Sequence, residues 1–355
     1  MHILYYYSIQ VVSQIKLGFL TCNVSYSTYT QRRFRRSWQR SKMDHANYVT
    51  KWVFEKAPES IHGENNGRTT PVQLDYILTM DRFRRLFKHP FCNIIGMIHL
   101  RALPGTPKSS LSIGAIRDIA CQEAELYLRY NLDGIIVENM HDIPYVKGPI
   151  SPEIIAAMTR ICSDVKQVLP NIPCGLQVLA AGNKEAIAIA HAAGFDFIRC
   201  EGFVFGHVAD EGYIDSCAGP LLRFRKTIGA ENVQIYCDIK KKHSAHSITS
   251  DVSLAETAKA AEFFMADGVI ITGQCTGDPA APSDFKDVAK TVNIPIMAGS
   301  GVTCSNLANY AEAHALIIGS DFKRDGSWNQ EIDVNRVQQL METADRIRNK
   351  QCKFD

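Results

Sequence analysis

The chain lacks the cysteine spacings that staple or metallate a fold. Its eleven cysteines among 355 residues fall far below the roughly 8–10% of a disulfide scaffold. They are scattered from Cys22 and Cys92 to Cys304 and Cys352, with no C-x-x-C pair. The odd count and the missing spacing argue for free thiols in a reducing compartment and against a zinc site. Also missing are G-x-G-x-x-G, the Walker loop, the nucleophile elbow and HExxH, the signatures of a dinucleotide fold, a P-loop nucleotidase, an α/β-hydrolase and a zincin. Long apolar runs are absent too. The nearest, residues 3–20, is broken by Ser8, Gln10, Ser13, Gln14 and Lys16, which argues against a spanning helix. At 46% apolar and 21% charged residues the composition is that of a globular protein, which excludes global disorder. Length alone leaves one large domain or two ordinary ones open.

Acids are missing from one end. Residues 1–43 hold Lys16, Arg32, Arg33, Arg35, Arg36, Arg40 and Lys42, and no Asp or Glu. With those seven set apart, 32 basic residues face 37 acidic ones, so the body carries −5 and is no candidate for wrapping nucleic acid. An acid-free, hydroxyl-rich segment with its arginines after the apolar run predicts an organelle transit peptide within 1–42, with a mitochondrial address. A plastid or secretory address and a disordered extension are the alternatives. Met43 and Met80 are internal starts that would give a cytoplasmic form. Residues 43–90 read as linker and helix. HGENNGRTTP (62–71) is turn-rich, and beyond it Ile77, Met80, Phe83 and Phe87 recur at helical spacing among Arg82, Arg84, Arg85 and Lys88. Such a basic amphipathic helix lies on a membrane or, more commonly, packs on the domain that follows.

From residue 91 to 350 short apolar runs alternate with helical periodicity. The predicted strands are 93–100, 134–139, 174–180, 195–202, 233–240, 268–273, 294–300 and 315–322. The predicted helices are 113–130, 152–169, 183–193, 220–228, 254–265, 283–292, 305–313 and 334–349. Near-continuous apolar strands separated by helices form a parallel sheet covered on its faces. Eight such units match a closed (β/α)8 TIM barrel, the α/β fold expected here. A doubly wound sheet is the runner-up, but its dinucleotide fingerprint is missing after the first strand. LDGIIV (132–137), GFDFIR (194–199) and ADGVII (266–271) echo one another, each placing a turn before a strand at the plain end of the barrel. The segments after strands, 139–151, 202–219, 241–253 and 274–282, are long, so the working face is the carboxyl end of the strands.

The strand ends carry chemistry. His99, Glu138, Glu201, Asp238 and Lys240 are the candidate catalytic groups, able to act as general acid and base or to hold a divalent cation. Lys240 is expected to point inward, and Lys241 and Lys242 into solvent. Asp142 follows closely behind the second strand. His207, His243 and His246 are expected at the surface, and Tyr145 and Phe205 in lid contacts. Arg101, Asn139, Gln177, Arg199 and Thr272 are candidate substrate ligands. Gly299, Ser300 and Gly301 after the seventh strand, with Gly319, Ser320 and Asp321 after the eighth, suit a phosphate, since glycine lets backbone N–H groups approach and a short helix adds its dipole.

IIGMIHLRALPGTP (94–107), DGIIVENMHDIPY (133–145), FIRCEGFV (197–204), AGSGV (298–302) and IIGSDFKRDGSWNQEID (317–333) resemble the BtpA family. The resemblance covers about residues 90–350 and leaves 1–90 without a counterpart. It implies a phosphate-binding TIM barrel, grouped with phosphoribosylanthranilate isomerase and ribulose-phosphate epimerase. The family takes its name from a role in building photosystem I, which nothing in this sequence suggests for this chain. Two readings follow. One is an isomerase- or lyase-like enzyme on a small phosphorylated, sugar-like metabolite. The other is a non-catalytic assembly or stability factor for a membrane complex. The populated mouth favours the enzyme, and neither reading excludes a homo-oligomer.

Removal of the head on import should cut between Arg32 and Lys42. N-terminal sequencing of protein from its native cells checks this, and an intact Met1 in a cytosolic fraction would reject it.

Overall fold

The computed structural model describes residues 71–273 and 277–351. The expected transit segment 1–42 and the linker to residue 70 lie outside the described residues. Eight parallel strands close on themselves: β1 (Asn93–His99), β2 (Gly134–Glu138), β3 (Cys174–Gln177), β4 (Phe197–Cys200), β5 (Gln234–Ile239), β6 (Gly268–Ile271), β7 (Ile296–Ala298) and β8 (Ala315–Ile318). Each pairs with its sequence neighbours, and β8 closes on β1 with Asn93 opposite Ala315 and Gly96 opposite Ile318. This closed order is the TIM barrel, and it excludes the doubly wound sheet.

Helices α2 (Ile113–Arg129), α3 (Pro152–Val168), α4 (Asn183–Ala193), α5 (Ala218–Thr227), α6 (Leu254–Phe263), α7 (Pro282–Ala289) and α8 (Val334–Gln351) accompany the strands, and α1 (Pro71–Leu86) precedes them. Their starts follow from local chemistry. Ser112 caps α2 by accepting from Ala115 N at 3.2 Å. Ser253 and Glu256 make a reciprocal capping box on α6, which satisfies two otherwise orphaned N–H groups. Proline opens α3 and α7, where its missing N–H costs nothing. The helix expected over 305–313 is only a 3₁₀ turn, Leu307–Tyr310. Asn306 explains the difference: it accepts from Thr303 N and donates to Gly301 O, both at 2.8 Å, holding the chain in a loop conformation. None of the described helices is long and apolar enough to cross a membrane.

The alternation of strand side chains builds two cores. Outward residues such as Ile94, Ile98, Ile135, Val137, Cys237 and Leu316 pack under the helices. Inward residues Ile95, Met97, Ile136, Phe197, Tyr236, Ile270, Met297 and Ile317 fill the barrel, joined from below by Phe83 and Phe87. Gly175 is what makes room: a Cβ there would fall 2.2 Å from the Phe197 ring. The Phe87 ring centre lies 5.9 Å from that of Phe197, and Phe83 meets Tyr236 edge-on at 6.3 Å. Phe83 of α1 and Phe87 just after it are therefore spent on the barrel floor, and Arg82 ion-pairs with Asp267 at 2.5 Å. The membrane-surface reading of this helix does not survive that placement.

The echoed turns prove to be one device used three times. Asp133, Asp196 and Asp267 each donate a backbone N–H to the carbonyl of Ile94, Cys174 and Ile235 respectively, at 2.8–3.0 Å. Each carboxylate then accepts the backbone N–H of that same residue, at 2.8, 2.9 and 2.8 Å. The result is a closed two-bond ring that fixes the register of neighbouring strands at their starts. A cation completes each: Arg348 for Asp133, Lys166 for Asp196, Arg225 with Arg82 for Asp267.

The three rings differ in burial, and this ranks their substitutions. Asp267 is 5% exposed and its partner Arg225 11%, so Asp267→Ala strands a buried guanidinium and should cost about 3–5 kcal/mol. Asp196 and Lys166 are 32% and 21% exposed, so Asp196→Ala should cost only about 1 kcal/mol. Urea unfolding of both variants measures the order, and equal losses would refute it.

Candidate functional site

The carboxyl ends of the strands surround a cavity of about 470 Å³. Register sets its wall: His99 lies opposite Glu138, and Glu138 opposite Gln177. Arg199, Glu201 and Asp238 continue it around β4 and β5. Two long loops fold over the opening as a small antiparallel sheet, with a hairpin His207–Ala209 and Gly212–Ile214 against Ser244–Ala245. Its tip brings Asp210 and Glu211 to the cavity, while Tyr145 and Trp328 close other sides.

Of the three carboxylates at the ends of β2, β4 and β5, two are tied up. Arg199 donates from Nε and Nη2 to the two oxygens of Asp238, both at 2.9 Å. Glu201 accepts from Lys241 Nζ at 3.1 Å, Gln177 Nε2 at 3.3 Å and Ala181 N at 2.9 Å. Burial pushes the Glu201 carboxyl up, but Lys241 and the Ala181 N–H outweigh it and hold it below its ordinary value. Glu138 differs. Among the described residues no lysine or arginine ion-pairs with it, and its near neighbour is His99 Nε2 at 3.6 Å. Burial raises its pKa, opposed by the more distant Arg199 and Lys242. Lys242 moves the other way, lowered by burial and then by Arg199. His99 is driven to about 3 by burial and by Lys323, against a contact from Nδ1 to Trp328 O at 3.3 Å. It is therefore neutral at physiological pH. Gln177 Oε1 is buried without a hydrogen-bond partner, an acceptor open to a donor from the cavity.

Across the cavity, Gly299, Ser300, Gly301, Gly319 and Ser320 form a glycine-rich rim. Ser300 is not a free donor there. Its hydroxyl accepts from Gly273 N at 2.8 Å and donates to Asp278 O at 2.9 Å, holding the β6 loop against the β7 loop. What the rim presents instead is backbone, together with Arg336 from the first turn of α8. Arg336 reaches Asp321 through Nε to the carbonyl at 2.5 Å and Nη2 to the carboxylate at 2.6 Å.

Of the expected site residues, His99, Glu138, Gln177, Arg199, Glu201, Asp238, Gly299, Ser300, Gly301, Gly319, Ser320 and Asp321 line this one cavity. Four do not. Asn139 is consumed between loops, accepting from Leu179 N at 2.8 Å and donating to Asp142 at 3.0 Å. Asp142 in turn holds Leu103 N at 2.7 Å. Thr272 accepts from Lys242 N at 3.2 Å. Arg101 faces a separate groove. Lys240 turns away from the mouth and donates to Thr249 O at 3.0 Å. The left-handed backbone at Lys240 (φ +46°) breaks strand alternation, and it is Lys241 and Lys242 that enter the cavity. His207 is buried rather than at the surface, its ring 5.3 Å from that of His246. His243 lines the cavity. Phe205 stays exposed. No group of three or more His, Cys, Asp or Glu among the described residues is arranged to hold a metal ion.

A closed (β/α)8 barrel with an ionisable mouth defines the class. The sequence profile of the BtpA family matches residues 91–346, and the chain belongs to that family. An uncharacterized mitochondrial protein of Caenorhabditis elegans is 49% identical over 260 residues, covering 72% of this chain and 94% of that one. The photosystem I biogenesis protein BtpA of Synechocystis is 33% identical over 277 residues, covering 77% and 95%. Among solved structures, a phosphoribosyl anthranilate isomerase from Thermus thermophilus covers 72% of this chain and 99% of its own, at 11% identity and a TM-score of 0.44. So weak a likeness adds nothing to what the strand order shows.

The buried neutral His99 makes stability depend on pH. Its folded value of about 3 lies below the unfolded value near 6.5. Its contribution is complete above about pH 6.5 and is lost as pH falls, by up to about 1.4 kcal/mol per unit. His99→Gln should flatten the acid limb of the stability curve between about pH 6.5 and 3. An unchanged slope in urea titrations at several pH values would show that His99 protonates freely in the fold.

Proposed function

We propose that the chain is an enzyme that moves a proton on a small phosphorylated, sugar-like metabolite. One observation carries the reading. Of the three carboxylates at the ends of β2, β4 and β5, Glu138 alone has no bonded lysine or arginine among the described residues, and burial raises it while lowering Lys242. A carboxyl raised toward neutrality and an ammonium lowered toward it suit general acid–base exchange. Glu138 takes or returns the proton, Lys242 faces the charge that develops, and neutral His99 donates or accepts a hydrogen bond. Gln177 Oε1 accepts from a substrate hydroxyl. The phosphate lies on the backbone of Gly299–Gly301 and Gly319–Ser320, with Arg336 as its counter-charge. We read this chemistry as mitochondrial, a reading supported by the address in the C. elegans relative's name. The name of the Synechocystis relative favours the second reading, an assembly factor without turnover.

Two variants separate these ideas. Ser320→Asp sets a carboxylate in the anion's place. Gly301→Asp cannot serve, because a Cβ at Gly301 would fall 2.2 Å from the Asp278 and Pro279 backbone. Glucose 6-phosphate at about 100 times its dissociation constant should stabilise the wild type by roughly 2.7 kcal/mol and Ser320→Asp hardly at all. A full gain in the variant would move the phosphate elsewhere. Glu138→Gln should keep the gain and lose about 10²- to 10⁴-fold in turnover of any substrate found by metabolite screening. Full complementation of a null cell by Glu138→Gln would favour the assembly role.

A further inference from the structure

Beside the mouth runs a second groove of about 310 Å³, walled by Arg101, Lys108, Leu111, His141, Ile143 and Trp328. Trp328 lines both cavities, so the groove and the mouth share a wall. Its two cations are Arg101 and Lys108, and among the described residues neither ion-pairs with a carboxylate. They stand on the loop after β1 above an apolar floor, where Trp328 and His141 meet with ring centres 5.1 Å apart. Two positive charges with no bonded carboxylate in a concave site suit an anion from outside.

We propose that this groove is a second anion subsite, which takes the far phosphate or carboxylate of a two-ended substrate whose first phosphate lies on the mouth rim. The inference rests on the proposed mouth reading and narrows it, from monophosphates to acids with charge at both ends. The Arg101 fork gives a bidentate contact and Lys108 a point charge, while Trp328 packs on the carbon chain between. The electrostatics agree. His141 is held down to about 4 by burial, then by Arg101, Lys323 and Lys108, as expected of a pocket short of negative charge.

The test uses the full chain and three probes: glucose 6-phosphate with one charged end, and fructose 1,6-bisphosphate and 6-phosphogluconate with two. At least one two-ended probe should bind about tenfold or more tighter than glucose 6-phosphate, since charge-assisted hydrogen bonds are added. Preference between them tells phosphate from carboxylate at the far end. The double variant Arg101→Gln/Lys108→Gln should erase that advantage and leave glucose 6-phosphate binding unchanged. By NMR, the His141 pKa should rise when a two-ended probe covers the cations, and stay put with glucose 6-phosphate. Two-ended probes that bind no tighter than glucose 6-phosphate, or an advantage that survives the double variant, overturn the proposal. Failure of the mouth reading has a different signature: glucose 6-phosphate binding that Ser320→Asp leaves intact.

Discussion

Arg199 reaches across the top of the barrel interior and closes its guanidinium on both oxygens of Asp238. Below this pair lie Phe197, Tyr236, Ile270 and Met297. Around and above it lie Glu138, Glu201, Lys241 and Lys242. The two partners are 5% and 2% exposed, so neither can lose the other without leaving a buried charge, a defect worth about 3–5 kcal/mol. The pair is thus the boundary between a dry core and a polar mouth. Its geometry reaches into the chain elsewhere. A Cβ on Gly299 would lie 3.2 Å from Arg199 Nη2 and 2.4 Å from Ile270. A glycine is required there before any question of phosphate arises.

That packing constraint bears on how glycines at a barrel mouth are understood. Gly299 clears space for Arg199, and Gly301, at φ +67°, turns the chain against Asp278. Ser300 between them clamps two loops. These structural duties and anion binding are compatible, because they use side-chain space and hydroxyls and leave backbone N–H groups at the rim. On the proposed reading they shift the burden of recognition from the serine hydroxyl to the main chain and to Arg336.

The barrel was legible because near-continuous apolar runs and long helical stretches in alternation are global signals, repeated eight times and hard to mimic. Most of the mouth followed from them, since the last inward residue of a strand is set by counting. Where counting failed, a local backbone event intervened. The left-handed turn at Lys240 moved the expected inward lysine out and brought in Lys241 and Lys242. Asn306 bonded to its own loop and shortened a helix to a single 3₁₀ turn. Asn139 looked like a ligand by position, yet its amide was needed to tie β2 to the loop after β3. Arg336 escaped notice because it sits on a helix rather than at a strand end. Its place in the first turn after the β8 loop was the available signal. The hairpin lid carried no strong pattern at all, its strands being two or three residues long.

The contrast between paired and unpaired carboxylates separates structure from chemistry in this mouth. Asp238 and Glu201 are buried as Glu138 is, yet each has a bonded cation. Such pairs set a constant field. Glu138 receives that field without a partner to lock it. Arg199 and Lys242 pull its pKa down, while burial, Glu201 and Asp238 push it up. The same Glu201 and Asp238 act on Lys242 in the direction opposite to burial. The locked pairs therefore regulate the unlocked one, and a change in either would be felt at Glu138 without touching it. On the proposed enzyme reading that isolation has a use, since burying a carboxylate without a bonded cation costs stability. The destabilised group is the one best placed to do work.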